Sequence, residues 1–259
     1  MNTRLKGLGR GFYLTLIYLF LYLPILIVVL FSFNNARFSL LWHGFTGHWY
    51  QTLMHDADLI QVAVNSLFIG MSAATIATCL GALATISLFR YRFWGRKPMH
   101  AVLFVMIIIP DIVTGIALLL LYRFLHFSLG FWTLLLAHIT FCLPFVFITA
   151  NSRIDGIDKS IIEAARDLGA KEHTIFFRIM IPLLLPALIS GWLLSFTLSL
   201  DDVIISYFVT GPSFEILPLK IFSMVKLGVS PEVNALSALL FFFTLLIVIS
   251  TQLLMKKKT

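Results

Sequence analysis

The sequence contains few charged residues. They make up 12% of its 259 residues, about half of the roughly 25% that is usual in a soluble domain. Hydrophobic residues make up 59%, and the mean hydropathy is +0.97. This composition excludes a disordered chain and a water-soluble globule. It predicts an all-α membrane protein, because helices satisfy their backbone hydrogen bonds internally in lipid.

Sequence motifs of common enzyme classes are also lacking. The sequence contains no GxxxxGK[ST] phosphate loop, no HExxH and no GxGxxG. The two cysteines, Cys79 and Cys142, lie in apolar segments, where a thiol behaves as a small buried hydrophobe. They predict neither a disulfide nor a metal site. We therefore expect a protein that is not an enzyme and has no cofactor of its own.

Apolar segments long enough to cross roughly 30 Å of hydrocarbon, about 20 residues each, predict six transmembrane helices. They lie at 11–33, 62–89, 99–122, 130–150, 181–206 and 233–255. The second and fifth carry small and polar residues, so we expect them to pack against other helices. Basic residues precede the first apolar segment, as they do in a signal peptide. This segment is too long for a signal peptide and lacks a small-x-small cleavage pattern, so we predict that it is retained as a membrane anchor.

Basic residues are concentrated on one side of the six predicted helices. Of the 19 Lys and Arg residues, only four fall on the other side: Arg37, Arg123, Lys220 and Lys226. Because cytoplasmic loops carry the excess of Lys and Arg, both termini are predicted in the cytoplasm. This excess accounts for the pI near 9.6 without nucleic acid as a partner, and the lipid bilayer is the expected surrounding.

The longest predicted cytoplasmic loop, 152–180, has a helix of its own. Ser160 and Glu163 have the spacing of a capping box with Ser160 as the N-cap, and Gly169 is a natural helix stop. A second short helix through Phe176 is expected to follow. The residues alone leave open that the loop is an amphipathic segment in the membrane interface, where Glu163 only caps the helix.

This loop resembles the EAA loop of ABC-importer permeases. The matching residues are Glu163-Ala164-Ala165, Gly169 after three residues, and Ile179-x-Ile181-Pro182 after nine more. Ile181 stands where the family usually has leucine. The resemblance implies a coupling helix that seats in a groove of an ATPase subunit. It also implies a single permease domain over 1–259 with the type I ABC-importer architecture.

The segments 131–145, 199–203 and 209–218 are similar to the spermidine/putrescine importer permeases of the second type. This resemblance extends over nearly the whole chain. It implies a multi-pass protein of the bacterial inner membrane that works with a sister permease, two ATPase subunits that bind ATP and Mg, and a periplasmic polyamine-binding protein. A permease for phosphate, sulfate or iron is the alternative within this class. A stand-alone proton- or cation-coupled carrier is the alternative outside it.

Three acids in or near the predicted helices are candidates for the substrate pathway. An ionised carboxylate at the centre of a membrane helix costs at least about 2.5 kcal/mol. Asp111 follows Pro110, which predicts a kink or bend. Asp201 and Asp202 are adjacent, so only one can face a central path, and we favour Asp201. The structural alternatives are pairing of Asp111 with a neighbouring helix and solvation of the other two at a helix end.

Trp49 in the first outer loop and Tyr207 after the aspartates are candidates for cation–π contacts. A polyamine is a chain of ammonium groups, so a passage for it needs separated carboxylates and aromatic faces. Three aspartates would repel an anionic substrate. Trp and Tyr also cluster at membrane interfaces, and this is the structural alternative for both residues.

Overall fold

The computed structural model describes residues 2–36, 41–212, 214–228 and 231–256. Arg37, Lys257 and Lys258, which belong to the basic-residue pattern, lie outside these ranges. The α-helices are α1 Asn2–Phe31, α2 His48–His55, α3 Ala57–Arg90, α4 Arg96–Ile108, α5 Asp111–Phe124, α6 Phe131–Ile154, α7 Ser160–Asp167, α8 Glu172–Ile175, α9 Ile181–Asp201, α10 Ile204–Val209, α11 Leu217–Leu227 and α12 Pro231–Lys256. A π-helical turn, Phe176–Met180, joins α8 to α9. The described residues form no strand beyond one isolated bridge between Asn34 and Phe45.

The chain forms two compact units, one of Met1–Ile60 with Ile221–Thr259 and one of Gln61–Lys220. In the first unit, α1 and α2 both pack on α12. The turn after α1 is tied to α2, because Trp49 donates its indole N–H to the carbonyl of Asn34 at 2.8 Å. The single permease domain over 1–259 remains a prediction.

In the second unit the main packing is between α6 and α9. Val146 of α6 is fully buried between two glycines of neighbouring helices. A Cβ on Gly81 of α3 would lie 2.7 Å from Val146 Cγ1, and one on Gly191 of α9 would lie 3.2 Å from its Cα. The absence of these Cβ atoms lets three helices approach closely. The expectation that the second and fifth segments pack against other helices is confirmed.

Within the described residues, five helices are long and apolar enough to cross a membrane. They are Tyr13–Phe31, Ala57–Arg90, Phe131–Ile154, Glu172–Asp201 and Pro231–Ser250. The helices α4 and α5 pass the same test together but are bent by 117°. The six predicted spans are therefore matched when this bent pair is taken as one broken span.

The predicted span 99–122 is not one helix, because it breaks at Ile109 and Pro110. Ile109 is extended, with φ −67° and ψ 130°, which is the conformation that a residue before proline prefers. Pro110 has no N–H to continue the helical ladder. The bend predicted from Pro110 is confirmed, and its angle is far larger than that of an ordinary proline kink.

The predicted span 181–206 is displaced toward the N-terminus. A continuous helical segment begins at Glu172 and passes through the π-helical turn into α9, so the expected second short helix is not separate from the span. It ends at Asp201 instead of 206, because Asp202 is extended, with φ −67° and ψ 120°. The chain then starts the short helix α10 at Ile204.

Candidate functional site

Asp111 is the first residue of α5, directly after the break at Pro110. The first four N–H groups of a helix have no partner within it, and a carboxylate there is favoured by the helix dipole. The side chain of Asp111 is exposed on the surface of this chain. An acid in this position remains available to a charged molecule outside the chain.

A second break, between α9 and α10, carries the other two acids. Asp201 ends α9 and is exposed, whereas Asp202 is 8% exposed. Asp202 accepts N–H hydrogen bonds from Ile205 at 3.2 Å and Ser206 at 2.8 Å. Both donors are in the first turn of α10, so the carboxylate of Asp202 caps this helix. The two neighbouring acids thus point into different surroundings, and Asp201 is the accessible one.

The two breaks meet in space because α5 packs on α10. A Cβ on Gly115, one turn after Asp111, would lie 2.8 Å from Phe208 Cδ2 and 3.3 Å from the Cα of Ile205. This close packing places the start of α5, with Asp111, beside the break that carries Asp201 and Asp202. Residues 90 positions apart in the sequence therefore form one acidic site.

The two aromatic candidates occupy different surroundings. Tyr207, in α10, is 61% exposed and lies edge-on to Phe208. Trp49 is buried in the first unit, where its N–H holds the carbonyl of Asn34. Tyr207 is exposed on α10, the helix that follows the second break. The indole of Trp49 is buried, and its N–H is already hydrogen-bonded within the chain. The cation–π role of both residues stays a prediction.

A buried polar network under the second break was missed by the sequence analysis. His138 of α6 is fully buried and lies 2.6 Å from Ser199 Oγ through Nδ1 and 2.9 Å from Ser206 Oγ through Nε2. The Ser206 hydroxyl in turn donates to Asp202 at 2.7 Å. The signal available in the sequence was a histidine inside an apolar segment, which needs polar partners when buried.

The helix α7 carries the residues of the predicted coupling site. The capping box was wrong, because Ser160 is the first residue of the helix and not its N-cap. Asp158 supplies the cap instead, since its Oδ1 accepts the Ser160 N–H at 2.9 Å. This hydrogen bond holds the pKa of Asp158 below its usual value. Ser160 lies inside the helix, so its hydroxyl does not occupy the cap position.

The C-terminal end of α7 is a Schellman motif, as the glycine stop predicted. Gly169 has φ +78°, its N–H donates to Arg166 O at 2.8 Å, and the Ala170 N–H donates to Ala165 O at 2.9 Å. Ala165 and Ala170 pack on the apolar core of the second unit. Glu163 and Ala164 lie on the exposed side of the helix.

A shared carboxylate also links α7 to the end of α3. Glu172, at the start of α8, binds the Arg90 guanidinium at the end of α3 and lies 3.1 Å from Arg166 of α7. The Arg90 side chain is 5% exposed, whereas that of Arg166 is 50% exposed. A cavity of about 130 Å³ between α3 and α7 is lined by Arg90 and Glu163, among others. The predicted coupling helix is thus fixed to a long apolar helix by charge as well as by packing.

Among the described residues, no group of three or more His, Cys, Asp or Glu side chains has the arrangement of a metal site. The acidic site consists of the carboxylates that the two helix breaks carry.

Comparison with known proteins gives relatives over nearly the full length. The spermidine/putrescine transport system permease protein PotC of Escherichia coli (strain K12) is 53% identical over 250 residues, which is 96% of this chain and 95% of the relative. The putrescine transport system permease protein PotI of the same strain is 43% identical over 229 residues, covering 85% and 81% of the two chains.

A solved structure shows the same fold. A bacterial ABC transporter involved in the import of the acidic polysaccharide alginate superposes with a TM-score of 0.75 over 98% of this chain and 96% of that chain, at 20% identity. At this identity the similarity concerns the fold alone, which is that of an ABC-importer permease. The sequence model of the family described as binding-protein-dependent transport system inner membrane component matches residues 77–257. The chain therefore belongs to this family of inner membrane transport components.

Proposed function

We propose that the chain is the permease subunit of an ATP-driven importer that carries spermidine and putrescine across the bacterial inner membrane. The observation that carries the proposal is the packing of α5 on α10, which brings the helix break that carries Asp111 next to the one that carries Asp201. An amine chain needs anionic groups spaced along its path, and these two acids are the exposed members of the acidic site. The 53% identity to a spermidine/putrescine permease supports the same substrate class.

The importer has further parts in this proposal. A sister permease completes the passage, a periplasmic polyamine-binding protein delivers the substrate, and two ATPase subunits bind ATP and Mg. Glu163, Ala164, Ala165 and Gly169 form the contact with one ATPase subunit. The exposure of Glu163 and Ala164 on a helix tied to α3 supports this contact. Both termini and residues 152–180 lie in the cytoplasm.

Within the passage, Asp111 and Asp201 hold ammonium groups, and Tyr207 offers its ring face to a passing cation. Asp202 and Trp49 are further candidates for contact with the substrate. Their side chains already make hydrogen bonds within the chain, so we expect them to contribute less to substrate contact than the exposed acids.

The test is uptake of labelled spermidine by cells that depend on this importer, with Asp111→Asn and Asp201→Asn. Each variant loses one negative charge at nearly constant volume, so we expect uptake to fall by about tenfold, as for the loss of one charged contact of roughly 1.4 kcal/mol. The matched control is Asp155→Asn, which makes the same change at an exposed acid at the end of α6.

Unchanged uptake in both pathway variants, at equal amounts of complex in the membrane, would remove the acidic site from the proposal. Competition by unlabelled anions such as sulfate or phosphate, with none by putrescine, would favour the alternative permease class. Uptake by this chain without any ATPase subunit would favour a stand-alone carrier.

A further inference from the structure

His138 connects three helices at the point where the second break occurs. It projects from α6 to Ser199 on α9 and to Ser206 on α10. Its Nε2 also lies 3.6 Å from Asp202 Oδ2. His138, Ser199 and Ser206 are at most 3% exposed, and Asp202 is 8% exposed. No side chain of this group is left free to contact a substrate.

The partners fix the direction of the hydrogen bonds. A carboxylate only accepts, so the Ser206 hydroxyl donates its proton to Asp202. Ser206 Oγ must then accept from His138, which places a proton on Nε2. In a neutral ring Nδ1 is unprotonated and accepts from the Ser199 hydroxyl. The donors therefore run in one direction, from Ser199 through His138 and Ser206 to Asp202.

This directed chain ends on the residue that caps α10. The carboxylate of Asp202 accepts two backbone N–H groups of the first turn of α10 in addition to the Ser206 hydroxyl. These hydrogen bonds fix Asp202, and Asp202 is joined to Asp201 by a single peptide bond. The orientation of the Asp201 side chain follows from how Asp202 is held.

We propose that His138 is a positioning residue for transport: through Ser206 and Asp202 it holds the break between α9 and α10 so that Asp201 faces the substrate passage. This role rests on the proposed function, since it gives Asp201 its task. It assigns no substrate contact to His138 itself. The role requires that the side chain at position 138 carries a hydrogen-bond donor at the position of Nε2.

Three substitutions separate this role from simple packing. The amide of Gln at position 138 places a donor near the position of Nε2, whereas that of Asn reaches only the position of Nδ1. Leu fills similar space without any donor. We expect His138→Gln to retain function and both His138→Asn and His138→Leu to lose it, and Ser206→Ala to behave like the Asn variant.

The measurement is spermidine transported per ATP hydrolysed, in proteoliposomes that contain the complete importer with its binding protein. This ratio does not depend on how much complex assembles, so a loss of folding alone leaves it unchanged. For His138→Asn and His138→Leu we expect a fall of about tenfold, the change that corresponds to one lost buried hydrogen bond. For His138→Gln we expect a ratio within about twofold of the wild type.

Cys142→Ala is the matched control. Cys142 is one turn further along α6, is fully buried, and donates to Ser195 O of α9 at 3.4 Å. It joins α6 to α9, two of the three helices that His138 connects, without touching the break, so its replacement is expected to leave the ratio unchanged. An equal fall for Cys142→Ala, or equal ratios for the Gln, Asn and Leu variants, would overturn the positioning role.

The aspartate variants separate this inference from the proposed function. If Asp111→Asn and Asp201→Asn lower uptake while the His138 variants keep the wild-type ratio, only the positioning role is overturned. If both aspartate variants transport normally, the pathway itself is overturned.

Discussion

Arg90 and Arg166 bind the same carboxylate from very different surroundings. Both contact Glu172, but the Arg90 side chain is nearly buried and that of Arg166 is half exposed. An ion pair in water contributes little, because solvent screens it. A buried cation that loses its partner keeps its desolvation cost without compensation. The two ion pairs of Glu172 are therefore unequal.

We predict that Arg166→Gln changes the complex little and that Glu172→Gln strongly weakens it. Glu172→Gln leaves the buried Arg90 guanidinium without its carboxylate partner. The Nε of Arg90 already has no hydrogen-bond partner, so it does not compensate for the loss. The measurement is the thermal stability of the purified complex together with ATPase co-purification. The double variant Arg90→Glu with Glu172→Arg restores the opposite charges. Equal effects of Arg166→Gln and Glu172→Gln would contradict this ranking.

The acids show what sequence can and cannot establish for single residues. Asp111, Asp201 and Asp202 were identifiable as candidates because acids are rare in or near apolar membrane segments. That Asp201 is exposed while Asp202 is buried depends on the local break, which the sequence analysis did not anticipate. The partners of His138 lie 61 and 68 residues away. Such distant pairs are set by the packing of α6 on α9 and α10, and no local pattern encodes them.

At the level of helices, α7 depends on its two ends more than on its length. It spans only Ser160–Asp167, and a helix this short is marginal in water without caps and packing. Asp158 supplies the N-terminal cap and Gly169 the C-terminal turn. A change at either end is therefore expected to disturb the face that carries Glu163.

We predict that Gly169→Ala weakens binding of the ATPase subunit and that Gly169→Asn does so less. A left-handed conformation costs an L-residue about 1–2 kcal/mol, and asparagine tolerates it better than alanine. Beyond its chain neighbours, no atom of this chain lies within 4 Å of a Cβ built on Gly169, so within the chain the cost comes from the backbone conformation. The measurement is ATPase co-purification at graded detergent and salt concentrations.

Gly156→Ala is the control for this prediction. Gly156 lies in the same loop, has no positive φ, and a Cβ there would make only an ordinary contact of 3.6 Å with Arg153 O. The prediction is tested by which of the two Gly169 variants loses more ATPase binding. Stronger loss with asparagine than with alanine would show that backbone strain at this turn is not the cause.

The boundaries of the helices were predictable where a residue type imposes them. Pro110 and Gly169 act through the backbone itself, and both predictions hold in the structure. The end of α9 is different, because the apolar pattern continues past Asp201 and favours a longer helix. There the side chain of Asp202 and its partners decide the boundary, and periodicity carries no information about them. The same holds for the start of α7, where Asp158 accepts the Ser160 N–H and the helix begins one residue earlier than the capping box predicts.

For the whole molecule, the excess of basic residues on one side predicts the orientation in the membrane. Two exposed tryptophans of the second unit provide a matched pair of positions at which this orientation can be tested. Trp94 lies in the turn between α3 and α4 and is fully exposed, and Trp132 lies in the first turn of α6 and is 71% exposed. The proposed topology puts the first in the cytoplasm and the second at the outer face.

We predict opposite labelling of single cysteines at these two positions. In a Cys79→Ser, Cys142→Ser background, a membrane-impermeant maleimide added to intact cells should label Trp132→Cys and leave Trp94→Cys unlabelled. Opening the cells makes both cysteines reactive, which controls for accessibility. Labelling of Trp94→Cys in intact cells would reverse the assignment of the termini.

The two breaks differ in whether the chain can undo them. Pro110 has no N–H and keeps Ile109 extended, so α4 and α5 cannot merge into one regular helix. Between α9 and α10, Asp202, Val203 and Ile204 all retain their N–H groups, and only side-chain contacts interrupt the ladder. Asp111 therefore stands at a break that the backbone imposes, whereas Asp201 stands at a break whose backbone could continue a helix and which the Asp202 side chain holds through hydrogen bonds.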